Sequence, residues 1–278
     1  MHAFITARFY GVGSSRTGFS SAIKIVCALL GASTLYACAV QGDRVRGYDT
    51  IYRPNGREPF PAVILLHGCG GPSELEAMWA ERLRGWGFLA IRVDSFAPRG
   101  ITRACGGRTG LPEERVNDVF DALVYLKTRP DVDQKRIAAI GWSQGGTTLL
   151  NALGDRPEDT STGFRAVIAF YPRCRPAGGK TWRAKTPLLL LLGELDDWTG
   201  AKPCERMATQ LSRAGFDVRY RTYPGAHHAF DFPGLQTRRV PDANGGRGAT
   251  VGYNSAAAAD SEVQVRKFLA EHFHTTQK

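Results

Sequence analysis

Gly141-Trp142-Ser143-Gln144-Gly145-Gly146 sets a serine between glycines at the spacing G-x-S-x-G. A serine hydroxyl is a weak nucleophile until a base takes its proton, and that base needs an acid to orient it. The apolar run Arg136–Ile140 leads straight into the motif, and Thr147–Leu153 after it suits a helix. A strand-to-helix turn of this kind holds the serine in a strained conformation, while flanking glycines let other backbone approach. The helix N-terminus then aims its dipole at the serine, where negative charge develops during attack. In a chain with 32 glycines the motif recurs by chance, so its context carries the reading.

In a strand-turn-helix site of this type the expected chain order is serine, acid, histidine. The next apolar run, Pro187–Leu192, ends in Gly193-Glu194-Leu195-Asp196-Asp197-Trp198, which offers three acids. The run Val218–Tyr223 ends in Pro224-Gly225-Ala226-His227-His228-Ala229-Phe230, which offers two of the six histidines. Residues just past the C-terminal ends of parallel strands share one rim of the sheet. Three roles in order at three strand ends predict acyl transfer through a covalent serine intermediate. Upstream, Ala62–Leu66 opens into His67-Gly68-Cys69-Gly70-Gly71, a glycine-rich loop suited to presenting a backbone N–H to an oxyanion. Gln144 N–H, directly after the serine, supplies a second donor. His67 reads as a packing residue behind this loop.

The elements that must position these residues are legible as alternation. Ala62–Leu66, Phe88–Val93, Arg136–Ile140, Ala166–Tyr171, Pro187–Leu192 and Val218–Tyr223 read as strands, most of them continuously apolar, as strands buried on both faces are. Between them, Ser73-Glu74-Leu75-Glu76 is a capping box, followed by Leu75, Met78, Trp79 and Leu83 at helical spacing up to Gly85. Pro112 opens a helix with Val116, Val119, Phe120, Leu123 and Leu126 on one face. Met207, Leu211 and Ala214 mark another, and Val263, Val265, Phe268, Leu269 and Phe273 a last one. This predicts an α/β fold: one domain, mostly parallel central sheet, helices on both faces. Residues 232–252 read as one long irregular insertion.

Composition bounds the alternatives. The chain has 278 residues, 43% hydrophobic, with a formal net charge of +10 carried mostly by arginine. No run of five like charges and no basic stripe interleaved with aromatics is present, so no nucleic-acid partner is expected. The one long apolar segment is residues 25–39, after a stretch bearing Arg8, Arg16 and Lys24 and no acid. A basic start, a short apolar core and small Ala37 and Ala39 predict an export signal over residues 1–39, cleaved before Val40, with the α/β domain over 40–278. Leu35-Tyr36-Ala37-Cys38 also looks like a lipoprotein box, which would add a lipid anchor; a buried first helix is the plainer alternative. The product is expected in the periplasm or outside the cell. Cys69, Cys105, Cys174 and Cys204 follow the signal without the CxxC spacing of a metal or redox site. No metal and no cofactor is expected.

From Gly47 to Phe273 the chain resembles the dienelactone hydrolase family of α/β-hydrolases. The stretches that carry the resemblance are VILLHGCGG, VDSFAPRG, GWSQGG, LLGELDDWT and YPGAHHAFD, in order. The resemblance implies Ser143 as nucleophile, Asp196 as acid with Asp197 as runner-up, and His228 rather than His227 as base. It implies an oxyanion hole built from the N–H groups of Cys69 and Gln144, and a small-molecule ester or lactone as substrate. The founding members use cysteine as nucleophile, so Ser143 shifts the expectation from dienelactone toward general serine carboxylester hydrolysis. Trp142, Trp198 and Phe230 neighbour these residues and are candidates to line a substrate pocket. Arg99, Arg103 and Arg108 crowd the loop after Phe88–Val93, on the rim facing the site; they read as a solvated, arginine-rich loop, with selection of a carboxylate-bearing substrate as the alternative. A prolyl-oligopeptidase-type peptidase shares the motif order, and a non-catalytic binding protein shares the fold.

In the strand order of that fold, Ala62–Leu66 neighbours Phe88–Val93, and Ala166–Tyr171 neighbours Pro187–Leu192. Post-strand loops on parallel neighbours about 4.8 Å apart come within the Cα separation of about 5.5 Å that a disulfide needs. The expected pairs are Cys69–Cys105 and Cys174–Cys204, which an oxidising compartment would preserve.

Overall fold

Strands whose side chains are apolar on both faces must be covered on both faces, and helices supply the cover. In the computed structural model this arrangement is described for residues 50–106, 112–154, 163–174 and 185–274; the expected export signal and Arg108 lie outside them. The strands are β1 (Thr50–Tyr52), β2 (Phe60–Leu66), β3 (Leu89–Val93), β4 (Val132–Trp142), β5 (Ala166–Phe170), β6 (Leu188–Gly193) and β7 (Val218–Tyr223). They form one sheet in the order β1-β3-β2-β4-β5-β6-β7, parallel throughout except for β1, which pairs antiparallel with β3.

The helices are α1 (Glu74–Gly85), α2 (Pro112–Thr128), α3 (Gln144–Gly154), α4 (Ala201–Arg213) and α5 (Ser255–His274). On one face of the sheet Val119, Leu123, Leu149, Leu153 and Ala208, from α2, α3 and α4, pack over Ile64, Ile91 and Leu190. On the other, Trp79, Leu83, Val265, Phe268 and Leu269, from α1 and α5, pack over Leu65, Ile140 and Ile168. The α1 capping box is formed: Ser73 N–H donates to Glu76 Oε2 at 2.8 Å and Leu75 N–H to Ser73 Oγ at 3.3 Å. Among the described residues no helix is long and apolar enough to cross a membrane.

Several boundaries differ from expectation, each for a tertiary reason. Phe88 falls outside β3 and packs instead on the Phe273 ring, centroids 5.4 Å apart. β4 begins at Val132, four residues early, because Phe60 pairs with Val132 across an irregularity in the β2–β4 register. α4 starts at Ala201, ahead of the Met207, Leu211 and Ala214 pattern, and takes Cys204 into its first turns; Pro203 is tolerated in a first turn, where its missing N–H costs no helical bond. Residues 232–252 are not simply irregular. They contain a hairpin, β8 (Arg238–Val240) and β9 (Ala249–Val251), that no periodicity announced because each strand has three residues.

Cys69 is bonded to Cys105 and Cys174 to Cys204, with Cα separations of 4.8 and 5.0 Å. Both bonds join segments that leave neighbouring parallel strands, β2 with β3 and β5 with β6.

Candidate active site

β4 runs through Trp142 directly into Ser143, whose φ of 51° lies in the left-handed region. A non-glycine residue there is strained, and the surroundings hold it: Ser143 N–H donates to Phe170 O at 2.9 Å, and Thr147 N–H closes the first helical turn on Ser143 O. The flanking glycines are required by close approach. A Cβ on Gly141 would stand 2.6 Å from Gly145 O, and one on Gly145 would stand 2.2 Å from Leu66 O. The turn is therefore pressed against the end of β2, with the Gly68 loop over the serine.

β6 and β7 end in register, Gly193 opposite Tyr223, so their loops leave the sheet side by side. Glu194 and Leu195 N–H donate to Tyr223 O and Ala226 O, and Glu194 Oε2 accepts from Gly225 N–H, so Glu194 braces the histidine loop. Asp197 turns outward and accepts from Thr250 N–H and Oγ1 on β9. Asp196 is 7% exposed and faces inward. His227 Nδ1 meets Leu195 O at 3.2 Å on the partly exposed side, whereas His228 is buried.

Ser143 Oγ, His228 and Asp196 form an unbroken line. Oγ stands 2.9 Å from His228 Nε2, and His228 Nδ1 stands 2.8 Å from Asp196 Oδ2. Asp196 Oδ1 accepts from the N–H groups of Trp198 and Thr199, and Oδ2 also accepts from Thr199 Oγ1 at 2.7 Å. Burial works to raise this carboxyl's pKa. The His228 imidazole and the Thr199 donors overcome it and hold the group well below the usual carboxylate range. An ionised Asp196 fixes the proton of His228 on Nδ1, leaving Nε2 to accept from the serine.

Behind the site lies a buried group that no spacing announced. Asp231 accepts from Trp142 Nε1 at 2.9 Å, Trp79 Nε1 at 3.0 Å and Tyr171 OH at 2.7 Å. Burial pushes its pKa up against these three donors, which favour the anion. Tyr171 also sets its ring 4.6 Å from that of His228. The pocket expectation for Trp142 and Phe230 is corrected here. Trp142 is 1% exposed and stacks on Phe170, and Phe230 is fully buried, because both serve the apolar layer under α1 and α5. Trp198 is different: it is partly exposed, with its ring 4.8 Å from His228, at the mouth of the site.

The glycine-rich loop over Ser143 is also held. Cys69 O accepts from Ala104 N–H at 2.7 Å, beside the bond to Cys105. His67 is buried; burial first, then the nearby Arg115 charge, lowers its pKa to about 3. It is neutral, accepts from Ser95 N–H at Nε2, and reaches Gly68 O through Nδ1. Arg115, unremarked in the sequence, donates to both His67 O and Gln144 Oε1 at 2.7 Å. A signal existed: Arg115, Val119, Ala122 and Leu126 share the buried face of α2 at helical spacing. The loop arginines are ion-paired, Arg99 with Asp118 and Arg103 with Asp242. Among the described residues no group of three or more His, Cys, Asp or Glu is placed to hold a metal ion.

The model of the dienelactone hydrolase family matches residues 48–273, nearly all of the described chain. The chain belongs to the dienelactone hydrolase family. As a dienelactone hydrolase-type chain it is 32% identical over 124 residues to a thiohydrolase of Arthrinium phaeospermum, covering 42% of this chain and 37% of that protein. It is 27% identical over 157 residues to a cutinase of Thermobifida alba, covering 54% and 47%. The matched stretch thus spans less than half the length of either curated relative. In three dimensions it is similar to a dienelactone hydrolase-like promiscuous phosphotriesterase from metagenomic libraries, TM-score 0.62 at 19% identity, covering 81% and 99%. That likeness establishes the α/β-hydrolase fold.

Proposed function

We infer that this protein is a serine carboxylester hydrolase acting on small esters or lactones, and the continuous Ser143–His228–Asp196 line carries the reading. His228 Nε2 takes the proton of Ser143 as Oγ attacks the acyl carbon, and Asp196 stabilises the imidazolium that results. The N–H groups of Cys69 and Gln144 hold the oxyanion of the tetrahedral intermediate. His228 then gives its proton to the leaving alkoxide, and the acyl group stays on Ser143. A water, deprotonated by the same His228, attacks the acyl-enzyme and releases the acid. Apart from that water, the proposed steps use only groups of the chain.

The names of the relatives, a cutinase and a thiohydrolase, support acyl substrates with oxygen or sulfur leaving groups. Trp198, partly exposed beside His228, is the side chain proposed to touch the substrate. The two disulfides agree with export to an oxidising compartment, periplasmic or extracellular, and with residues 1–39 as its signal. The proposed mature domain is residues 40–278.

A fluorophosphonate probe tests the reading. It should label the wild type at Ser143, and Ser143→Ala should lose both labelling and hydrolysis of p-nitrophenyl esters. Labelling that survives in the variant would sink the assignment. Cleavage of peptide amides in preference to esters would make the protein a prolyl-oligopeptidase-type peptidase, and an unlabelled, inactive wild type would make it a binding protein.

A further inference from the structure

The residues on either side of Ser143 are each held by a buried polar side chain, Trp142 by Asp231 and Gln144 by Arg115. Arg115 is the harder to explain. It is 1% exposed on the inner face of α2, where Val119, Ala122 and Leu126 are apolar. Its Nε is buried and has no hydrogen-bond partner among the described residues. Burying a guanidinium with an orphaned donor is unfavourable, and an apolar side chain would continue the face of α2 without that cost. Stability therefore gives no reason for an arginine at this position.

What the guanidinium does is join two segments. Nη2 donates to His67 O and Nη1 to Gln144 Oε1, each at 2.7 Å. The Phe96 ring lies 5.3 Å from the guanidinium carbon and meets the His67 ring edge-on, so the fork is held in place from a third side. His67 O is the carbonyl that enters the Gly68-Cys69-Gly70-Gly71 loop, and it lies against Gly145, where a Cβ would come within 2.7 Å of it. A loop with three glycines in four residues has many backbone conformations open to it. One planar fork on both His67 O and the Gln144 side chain fixes the loop relative to the elbow.

We propose that Arg115 is a positioning residue that sets the distance between the two oxyanion-hole donors, Cys69 N–H and Gln144 N–H. This rests on the serine-hydrolase reading and adds to it a part that touches neither substrate nor the reacting atoms. Such a residue acts where the oxyanion exists, in the transition state, and leaves ground-state binding alone. Loss of a whole oxyanion donor costs about 10²–10³ in kcat, and a displaced one costs somewhat less.

The test compares Arg115→Met, Arg115→Lys and Gln144→Met, the last of which keeps the backbone N–H and removes only Oε1. Steady-state kinetics on a p-nitrophenyl ester are measured alongside affinity for a trifluoromethyl ketone, which forms an anionic tetrahedral adduct on serine. Arg115→Met should lower kcat by about 10–10²-fold with KM within about twofold, and should weaken the ketone in parallel. Arg115→Lys should recover part of the loss. Gln144→Met should fall in the same direction, and the Arg115→Met/Gln144→Met double variant should lose less than the product of the singles. If Arg115→Met does not fold, Arg115→Lys and Gln144→Met carry the test through the same kcat and ketone readouts. Unchanged kcat, a change in KM alone, or a kcat loss without weaker ketone binding overturns the proposal while the hydrolase reading stands. A wild type that neither hydrolyses esters nor takes the fluorophosphonate at Ser143 overturns the hydrolase reading, and this proposal with it.

Discussion

The indole Nε1 of Trp142 donates to Asp231 Oδ2 at 2.9 Å, across 89 residues of chain, in the interior of the molecule. Trp142 immediately precedes the candidate nucleophile and Asp231 follows the candidate base by three residues. This one buried bond therefore ties the loop that carries Ser143 to the loop that carries His228. Tyr171 strengthens the tie, since its hydroxyl shares the Asp231 carboxylate and its ring packs on His228. From outside, β9 and the residue after it tie the Asp196–Asp197 loop to the His228 loop: Thr250 N–H donates to Asp197 Oδ1 and Gly252 N–H to His228 O.

Asp231→Ala should be among the most damaging single changes outside the proposed triad. It would leave two indole N–H groups and a phenol without an acceptor in the core, each at about 1–3 kcal/mol. A loss of roughly 3–5 kcal/mol is expected by urea unfolding. Asp231→Asn keeps one carbonyl acceptor and should lose clearly less. Equal stability of wild type and alanine variant would show that the three donors find water instead.

Orientation of the base gives a paired prediction. Asp196→Asn should reduce kcat/KM by about 10⁴-fold in a folded protein, as loss of an orienting carboxylate does elsewhere. Asp197→Asn should alter mainly the β8–β9 hairpin and leave most activity. Likewise His228→Ala should fall by orders of magnitude and His227→Ala by little. The assay is ester hydrolysis with circular dichroism as the folding control; a reversed pattern within either pair moves the role by one residue.

Acid stability should carry the signature of two carboxyls with opposite shifts. Asp196 is held low, so the stability from its pairing is present above about pH 4 and is lost as pH falls through its depressed folded value. Asp231 is pushed up by burial, so its contribution is present below about pH 4 and declines as pH rises through the raised folded value. Thermal midpoints followed from about pH 2 to 7 should therefore show a flatter acid limb for Asp196→Asn than for wild type. Asp231→Asn should instead remove part of the decline above about pH 4.

The disulfides separate stability from catalysis. Each closes a long loop, 36 residues apart for Cys69–Cys105 and 30 for Cys174–Cys204, and each should contribute about 2–4 kcal/mol. Cys69–Cys105 also pins the loop bearing a proposed oxyanion donor. Replacing that pair by alanines should lower both the unfolding midpoint and kcat, whereas replacing Cys174 and Cys204 should lower the midpoint alone. Equal kcat in both double variants would detach the first bond from the site, and non-reducing peptide mapping checks the pairing itself.

Alternating apolar runs and helical periodicities were enough to predict the parallel sheet with helices on both faces, because a strand's burial on two faces is written in its own composition. Motif spacing put a serine, three acids and two histidines at three strand ends for the same local reason. Which acid and which histidine face the serine was decided by packing. Glu194 and Asp197 are drawn off by Gly225 N–H and Thr250 N–H, and only Asp196 turns inward onto His228. The three-residue strands β1, β8 and β9 left no periodic trace, since what makes them strands is a partner elsewhere in the chain. Trp142 looks like a pocket residue when only its neighbours in sequence are known; its side chain turns away from the serine because Phe170 and Asp231 wait in the core. The sequence marks Arg115 only as an arginine on an apolar helix face and Asp231 not at all, and neither one's role could be assigned from it. A buried polar side chain acquires its role from the groups it meets, and those lie 29 to 152 residues away along the chain.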